Sequence, residues 1–119
     1  MNENYPVFTK WMLILELIMD RAEGIPKSVR YSLTSRILNY ANDILELVIE
    51  AIYSQEKAEK IDRMNLILEK LRVYFRICEK RNYISHKQYY RLSVEFNEFG
   101  KMIGGWKKGD HNQQAELKG

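Results

Sequence analysis

One cysteine, two histidines and two prolines in 119 residues remove several classes of protein at once. The lone Cys78 can close no intramolecular disulfide and build no multi-cysteine metal cluster. Its place on an apolar helical stripe predicts a buried, inert thiol. A carboxylate-bridged metal centre in a helical bundle needs Glu-x-x-His pairs, but the residues three positions before His86 and His111 are Tyr83 and Lys108. No metal site and no cofactor is therefore expected. Gly104-Gly105 lacks the Lys-Ser/Thr that a phosphate-cradling loop carries. With no cysteine and histidine on a shared face there is no nucleophile–base couple, and the chain reads as a protein that is not an enzyme.

Long apolar runs are also missing. The longest, Trp11 to Leu15, is far short of the roughly 20 residues that span a bilayer. Residues Met1 to Val7 lack the basic start, apolar middle and small-residue cleavage site of an export signal. The expectation is a cytoplasmic protein with no membrane association.

What the chain does have is 45% apolar and 29% charged residues, the balance of one soluble domain with one core. Pro6 and Pro26 stand where helices would begin, since a missing N–H does least harm there. From Val7 through Trp11, Ile14, Leu15, Ile18 and Ala22 the apolar residues return every three or four positions, which predicts a first helix capped at Gly24. A second is predicted over Ser28 to Ser54, carrying Val29, Leu33, Ile37, Tyr40, Ala41, Ile44, Val48, Ala51 and Ile52 inward. The third, Ala58 to Arg81, has a bundle seam of Ile61, Met64, Leu68, Leu71, Phe75 and Cys78. Ser85-His86-Lys87-Gln88 has the form of a capping box and opens a fourth helix. There Tyr89, Leu92, Phe96, Phe99 and Ile103 continue the pattern until Gly104-Gly105. The fold class expected is all-α, an antiparallel up-down-up-down four-helix bundle over residues 1–107, with residues 108–119 a polar, mobile tail.

The first helix is apolar on more than one face, because only Glu16 breaks the run from Trp11 to Met19. A second apolar face on a small monomer has to find another protein surface. Trp11, Met12, Leu13 and Met19 are therefore the candidate interface of a homo-oligomer.

The net charge of +3 hides an uneven distribution. Residues 1–69 carry 8 Lys/Arg against 11 Asp/Glu, whereas residues 70–108 carry 10 against 3. Arg72, Arg76 and Lys80 lie along one helical face, with Glu69–Arg72 and Arg76–Glu79 spaced as ordinary surface pairs. Lys80 and Arg81 lack such partners. With Lys87 and Arg91 they gather around the turn between the third and fourth helices, interleaved with Tyr83, Tyr89 and Tyr90. Cations that meet phosphates beside tyrosines that stack on unpaired bases are the composition of a nucleic-acid surface. Tyr89 fits the core stripe, which leaves Tyr83 and Tyr90 as the stacking candidates. Lys27, Arg30 and Arg36 add charge at the start of the second helix, and in a ring of copies they could join the cluster of a neighbour.

Phe8-Thr9-Lys10-Trp11, Ile25-Pro26-Lys27-Ser28-Val29-Arg30, Arg36-Ile37, Ile49-Glu50-Ala51 and Gly100-Lys101-Met102-Ile103-Gly104-Gly105-Trp106 occur in order along the chain. Together they resemble the accessory variability determinant proteins of diversity-generating retroelements, over about residues 5 to 107. A sister group, encoded within 23S ribosomal RNA intervening sequences, is similar in fold and would bind RNA without a transcriptase. The Gly-Gly-Trp ending favours the retroelement group. The resemblance implies a homopentameric ring that binds RNA and also DNA, together with an error-prone reverse transcriptase, and supports mutagenic complementary-DNA synthesis without catalysing it. In that role Lys27, Arg30, Arg36, Arg72, Arg76, Lys80, Arg81, Lys87 and Arg91 would meet phosphates.

Overall fold

A computed structural model describes residues 5–118. The leader-free reading of residues 1–4 and the last residue of the expected tail lie outside them. Four long helices follow one another: α1, Pro6–Ala22; α2, Ser35–Ile52; α3, Ala58–Lys80; and α4, His86–Lys118. A short 3-10 turn, Lys27–Val29, and a π-helical turn, Arg30–Thr34, lead into α2. Each of α1 and α3 packs against both α2 and α4, so the bundle is antiparallel, with α1 and α3 at opposite corners. It measures 55 × 23 × 23 Å.

The three-four spacing of apolar residues becomes one continuous core. Val7, Trp11, Ile14, Leu15, Ile18 and Ala22 of α1 meet the α3 seam residues and Leu92, Phe96, Phe99 and Ile103 of α4, all buried. Leu47 and Ile67 extend the core beyond the stripes read from spacing, and Ile25 and Ile84 close it from two loops. Each large side chain fully buried here is worth about 1.5–3 kcal/mol.

Trp11 belongs to this core and not to an outer interface. It is fully buried, its indole N–H donates to the Ala41 carbonyl at 2.9 Å, and its ring lies 4.7 Å from that of Phe99. An indole can enter a core when its one donor finds an acceptor, and α2 supplies it. Met12, Leu13 and Met19 remain exposed, as a second apolar face requires.

Three helix boundaries differ from the spacing-based expectation. Gly24 does not adopt a left-handed cap; α1 ends through the tight turns Gly24 N–H to Arg21 O and Ile25 N–H to Ala22 O, each 3.1 Å. The second helix is not α-helical from Ser28. Val29, Leu33, Ile37 and Ala41 recur in steps of four, and at about 100° per residue a regular helix would drift some 40° per step. The wider π turn absorbs part of that drift and keeps Leu33 and Ile37 facing inward.

The largest difference is that α4 runs straight through Gly104-Gly105 to Lys118, so residues 108–118 are helical where a mobile tail was expected. The cause lies outside the segment. Asp110 is buried, and its carboxylate accepts the Lys57 N–H at 3.1 Å, capping the start of α3 from another helix. The Lys57 ammonium donates to the Ala51 and Ser54 carbonyls at the end of α2, at 2.8 and 2.5 Å, and lies 5.8 Å from the Trp106 ring. Carboxylate at a helix start and ammonium at a helix end both oppose the local dipole. Gln114 adds a bond to the Gln55 carbonyl and Lys107 an ion pair with Asp62. This knot holds α4 in place beyond its glycines.

Candidate nucleic-acid interface

The α1–α2 and α3–α4 connections lie at the same end of the bundle. Their contact is direct: a Cβ on Gly24 would stand 3.5 Å from the Tyr83 carbonyl oxygen. Residues 21–36 and 76–91, which form this end, carry nine Lys/Arg against two Asp/Glu. Residues 50–63 and 107–118, around the knot at the other end, carry six against six. One chain thus places Lys27 and Arg30 at the same end as Lys80, Arg81 and Lys87, before any neighbouring copy contributes.

The turn that presents the cluster is rigidly made. Beyond Lys80, Asn82 takes a left-handed conformation with φ 61°, tolerated by its short polar side chain. Tyr83 N–H then bonds back to Cys78 O at 2.8 Å and Asn82 N–H to Glu79 O at 3.0 Å, a paired closure of the helix end. Three residues on, the expected capping box forms in full. Gln88 N–H donates to Ser85 Oγ at 3.0 Å, and Ser85 N–H donates to Gln88 Oε1 at 2.9 Å. Two capped ends separated by a few residues hold Lys80, Arg81 and Lys87 at fixed spacing.

Among the described residues Lys27, Arg30, Arg36, Arg76, Lys80, Arg81, Lys87 and Arg91 are exposed and have no carboxylate partner. Arg76 is free because Glu79 turns instead to His86, whose Nδ1 lies 2.7 Å from Glu79 Oε2. The expected Arg76–Glu79 pair does not form. Arg72 is the exception among the candidates. It pairs with Glu69 at 3.0 Å, donates to Asn97 Oδ1 at 2.7 Å and covers the Phe96 ring at 6.0 Å. Its charge is already committed, although it stands one helical turn from Arg76 on α3.

The tyrosines divide similarly. Tyr83 is half-buried against the core, and the Arg81 guanidinium lies 6.0 Å from its ring, so it braces that arginine. Tyr90 is 66% exposed and open to a flat ligand. Tyr31, in the π turn beside Arg30, is 86% exposed, and the stripe-based reading passed over it. The signal was there: Tyr31 falls off the Val29–Leu33–Ile37 stripe, between two arginines.

Elsewhere the chemistry is quiet. Burial raises the Cys78 thiol to about 11, which keeps it protonated and unreactive at neutral pH. Among the described residues no three His, Cys, Asp or Glu side chains gather as a metal site, and no helix is long and apolar enough to cross a membrane.

An all-helical bundle with an unneutralised basic end is the framework of a binding or accessory protein. The chain matches the family model described as bAvd-like over residues 7–109, and it belongs to that family, the accessory variability determinant proteins, an accessory and non-catalytic type. No curated protein matches it.

Proposed function

We propose that this protein is a non-catalytic accessory factor of a diversity-generating retroelement, which binds the template nucleic acid through its basic end and holds it beside the error-prone reverse transcriptase. The supporting observation is the nine-to-two excess of cations at one end, eight of them exposed and, among the described residues, without a carboxylate partner. Such charges gain most by meeting phosphates, because each contact releases condensed counterions. Exposed Tyr31 and Tyr90 offer stacking faces to unpaired bases, which suits single-stranded RNA more than a duplex. Binding both RNA and transcriptase would raise their effective concentration without any bond being made or broken by this chain. The family resemblance supplies the expectation of a five-copy ring.

A filter-binding titration of template RNA at two salt concentrations tests the first half: affinity falls steeply with salt, and charge reversal of Arg76 and Arg81 flattens that slope. Co-purification with the transcriptase, followed by complementary-DNA synthesis with and without this protein, tests the second. Salt-independent binding, or synthesis indifferent to the charge reversal, overturns the reading.

A further inference from the structure

α4 is one helix in outline and two in support. As far as Ile103 it buries Leu92, Phe96, Phe99 and Ile103, whereas beyond the half-buried Trp106 no apolar side chain is buried among the described residues. The second stretch also contains Gly104, Gly105 and Gly109, and glycine weakens a helix interior by roughly fivefold at each position relative to alanine. Neither backbone shape nor packing requires these glycines. None has a positive φ, and a Cβ on any of the three would meet nothing within 4 Å, in contrast to Gly100, where it would touch Leu68 at 3.7 Å. What keeps the stretch helical is a set of polar ties to the start of α3 and the loop before it. Asp110 accepts the Lys57 N–H at 3.1 Å, Lys107 pairs with Asp62 at 2.6 Å, and Gln114 donates to the Gln55 carbonyl at 2.7 Å. The Lys107–Asp62 pair is open to solvent and contributes little, and Asp110 is the one buried side chain of the set.

We infer that residues 104–118 form a strap that opens as one unit about Gly104-Gly105 while the four-helix core stays folded, with Asp110 and the Lys57 amide as its latch. Glycine supplies the pivot, because a backbone without side chains leaves the helical region at the least cost. Asp110 supplies the cooperativity. Its carboxylate reaches an amide 53 residues away at the head of α3, and a charged acceptor facing a helix-start N–H is a strong contact for a segment with so little apolar burial. Segments of this kind, with few buried apolar contacts, are the ones that open below the free energy of global unfolding. Opening uncovers a cleft of about 420 Å³ between the strap and α3, lined by Glu56, Ala58, Gly104, Lys107, His111 and Gln114. It also parts the Lys57 ammonium from the Trp106 ring, 5.8 Å away when the strap is closed. The strap lies at the α2–α3 end, away from Lys80, Arg81 and Lys87, so it moves without disturbing the basic cluster.

Native-state hydrogen exchange of the full-length protein, read residue by residue by NMR at increasing sub-denaturing urea, tests the strap. The expected result is one shared opening for the amides of residues 106–118, with about a hundredfold less protection than those of residues 92–103 and a much shallower dependence on urea. The Lys57 amide, distant in sequence, exchanges with the strap and not with the middle of α3. Asp110→Ala lowers the protection of the strap at least about tenfold, and Gly104→Ala with Gly105→Ala, for which both positions have open space, raises it at least about tenfold. Circular dichroism confirms that both variants fold. Strap amides that share the urea dependence of global unfolding make α4 one cooperative helix and overturn the inference. Protection that decays smoothly inward from Lys118 is end fraying and overturns it too, as do strap amides with no protection at all. Unchanged protection in Asp110→Ala overturns the latch, and unchanged protection in the alanine pair overturns the hinge.

Discussion

The two ends of the bundle contain similar residues put to opposite uses. At the α2–α3 end, Lys57, Asp110, Lys107, Asp62 and Gln114 are joined to one another or to helix-end carbonyls and amides. Their charges stabilise the fold and are unavailable for anything else. At the α1–α2 and α3–α4 end, backbone closures and a capping box complete the helices without using cations, and so Lys80, Arg81 and Lys87 are left facing solvent. The general point is about where the hydrogen-bonding demand of a helix terminus is met. When backbone and neutral side chains meet it, nearby cations are free to bind a ligand; when charged side chains meet it, they are not.

Moving charge at each end separates the two uses most directly. Lys80→Glu with Lys87→Glu is expected to weaken template binding by about 2 kcal/mol or more, roughly thirtyfold, at low salt. Lys60→Glu with Lys108→Glu, at the other end, changes it by less than about threefold. Equal losses in the two variants would show that the field of the whole molecule matters and not the end, and filter binding reads the difference. In stability the order reverses. Asp110→Ala removes a charged acceptor from the Lys57 amide and is expected to cost about 1.5–3 kcal/mol by urea denaturation, with early loss of exchange protection at the start of α3.

Smaller effects sharpen the contrast further. Tyr31→Ala lowers single-strand affinity by about 1 kcal/mol and leaves duplex affinity almost unchanged, if Tyr31 stacks on bases. Asn82→Gly suits the left-handed position at least as well and shifts stability by only a few tenths of a kcal/mol, leaving binding intact. The smallest effect concerns pH. Lys10 bridges α1 to α4 through Glu95 at 2.7 Å and Glu98 at 2.6 Å. Hydrogen bonds to Glu95 and Glu98 raise the Lys10 ammonium above its usual range, and the bond from Lys10 holds the Glu98 carboxyl below its own. The Glu98 contribution is present above the ordinary glutamate range and fades as pH falls through the lowered folded value. The Lys10 contribution is full below the ordinary lysine range and fades as pH rises through the raised one. Glu98→Gln should therefore flatten the acid limb of the stability–pH curve slightly, and an unchanged limb would assign that acid dependence to other groups.

Most of the core was legible because burial in a bundle follows helical period: the α3 seam from Ile61 to Cys78 needed only its spacing of three and four. The capping box was legible because its partners are three residues apart. Within the candidate site, Lys80, Arg81, Lys87 and Tyr90 were readable from local crowding of charge and aromatics. The intramolecular partners of Arg72 and Tyr83, Asn97 and the core, come from helix packing and lie beyond the reach of local spacing. Tyr31 was overlooked because the π turn that exposes it is not a regular helix with a predictable face.

By itself the sequence determined four helices, their inward faces, the excess of cations in the second half and the absence of catalytic motifs, all properties set by residues within a few positions of one another. The tertiary structure decided the rest. It buried Trp11 by offering the Ala41 carbonyl, and carried α4 past Gly104-Gly105 by anchoring Asp110 to Lys57, 53 residues away. It also gathered Lys27 and Arg30 at the end that holds Arg81. Each of these depends on a partner brought close by folding, and a pattern of local spacing contains no information about which distant group that will be.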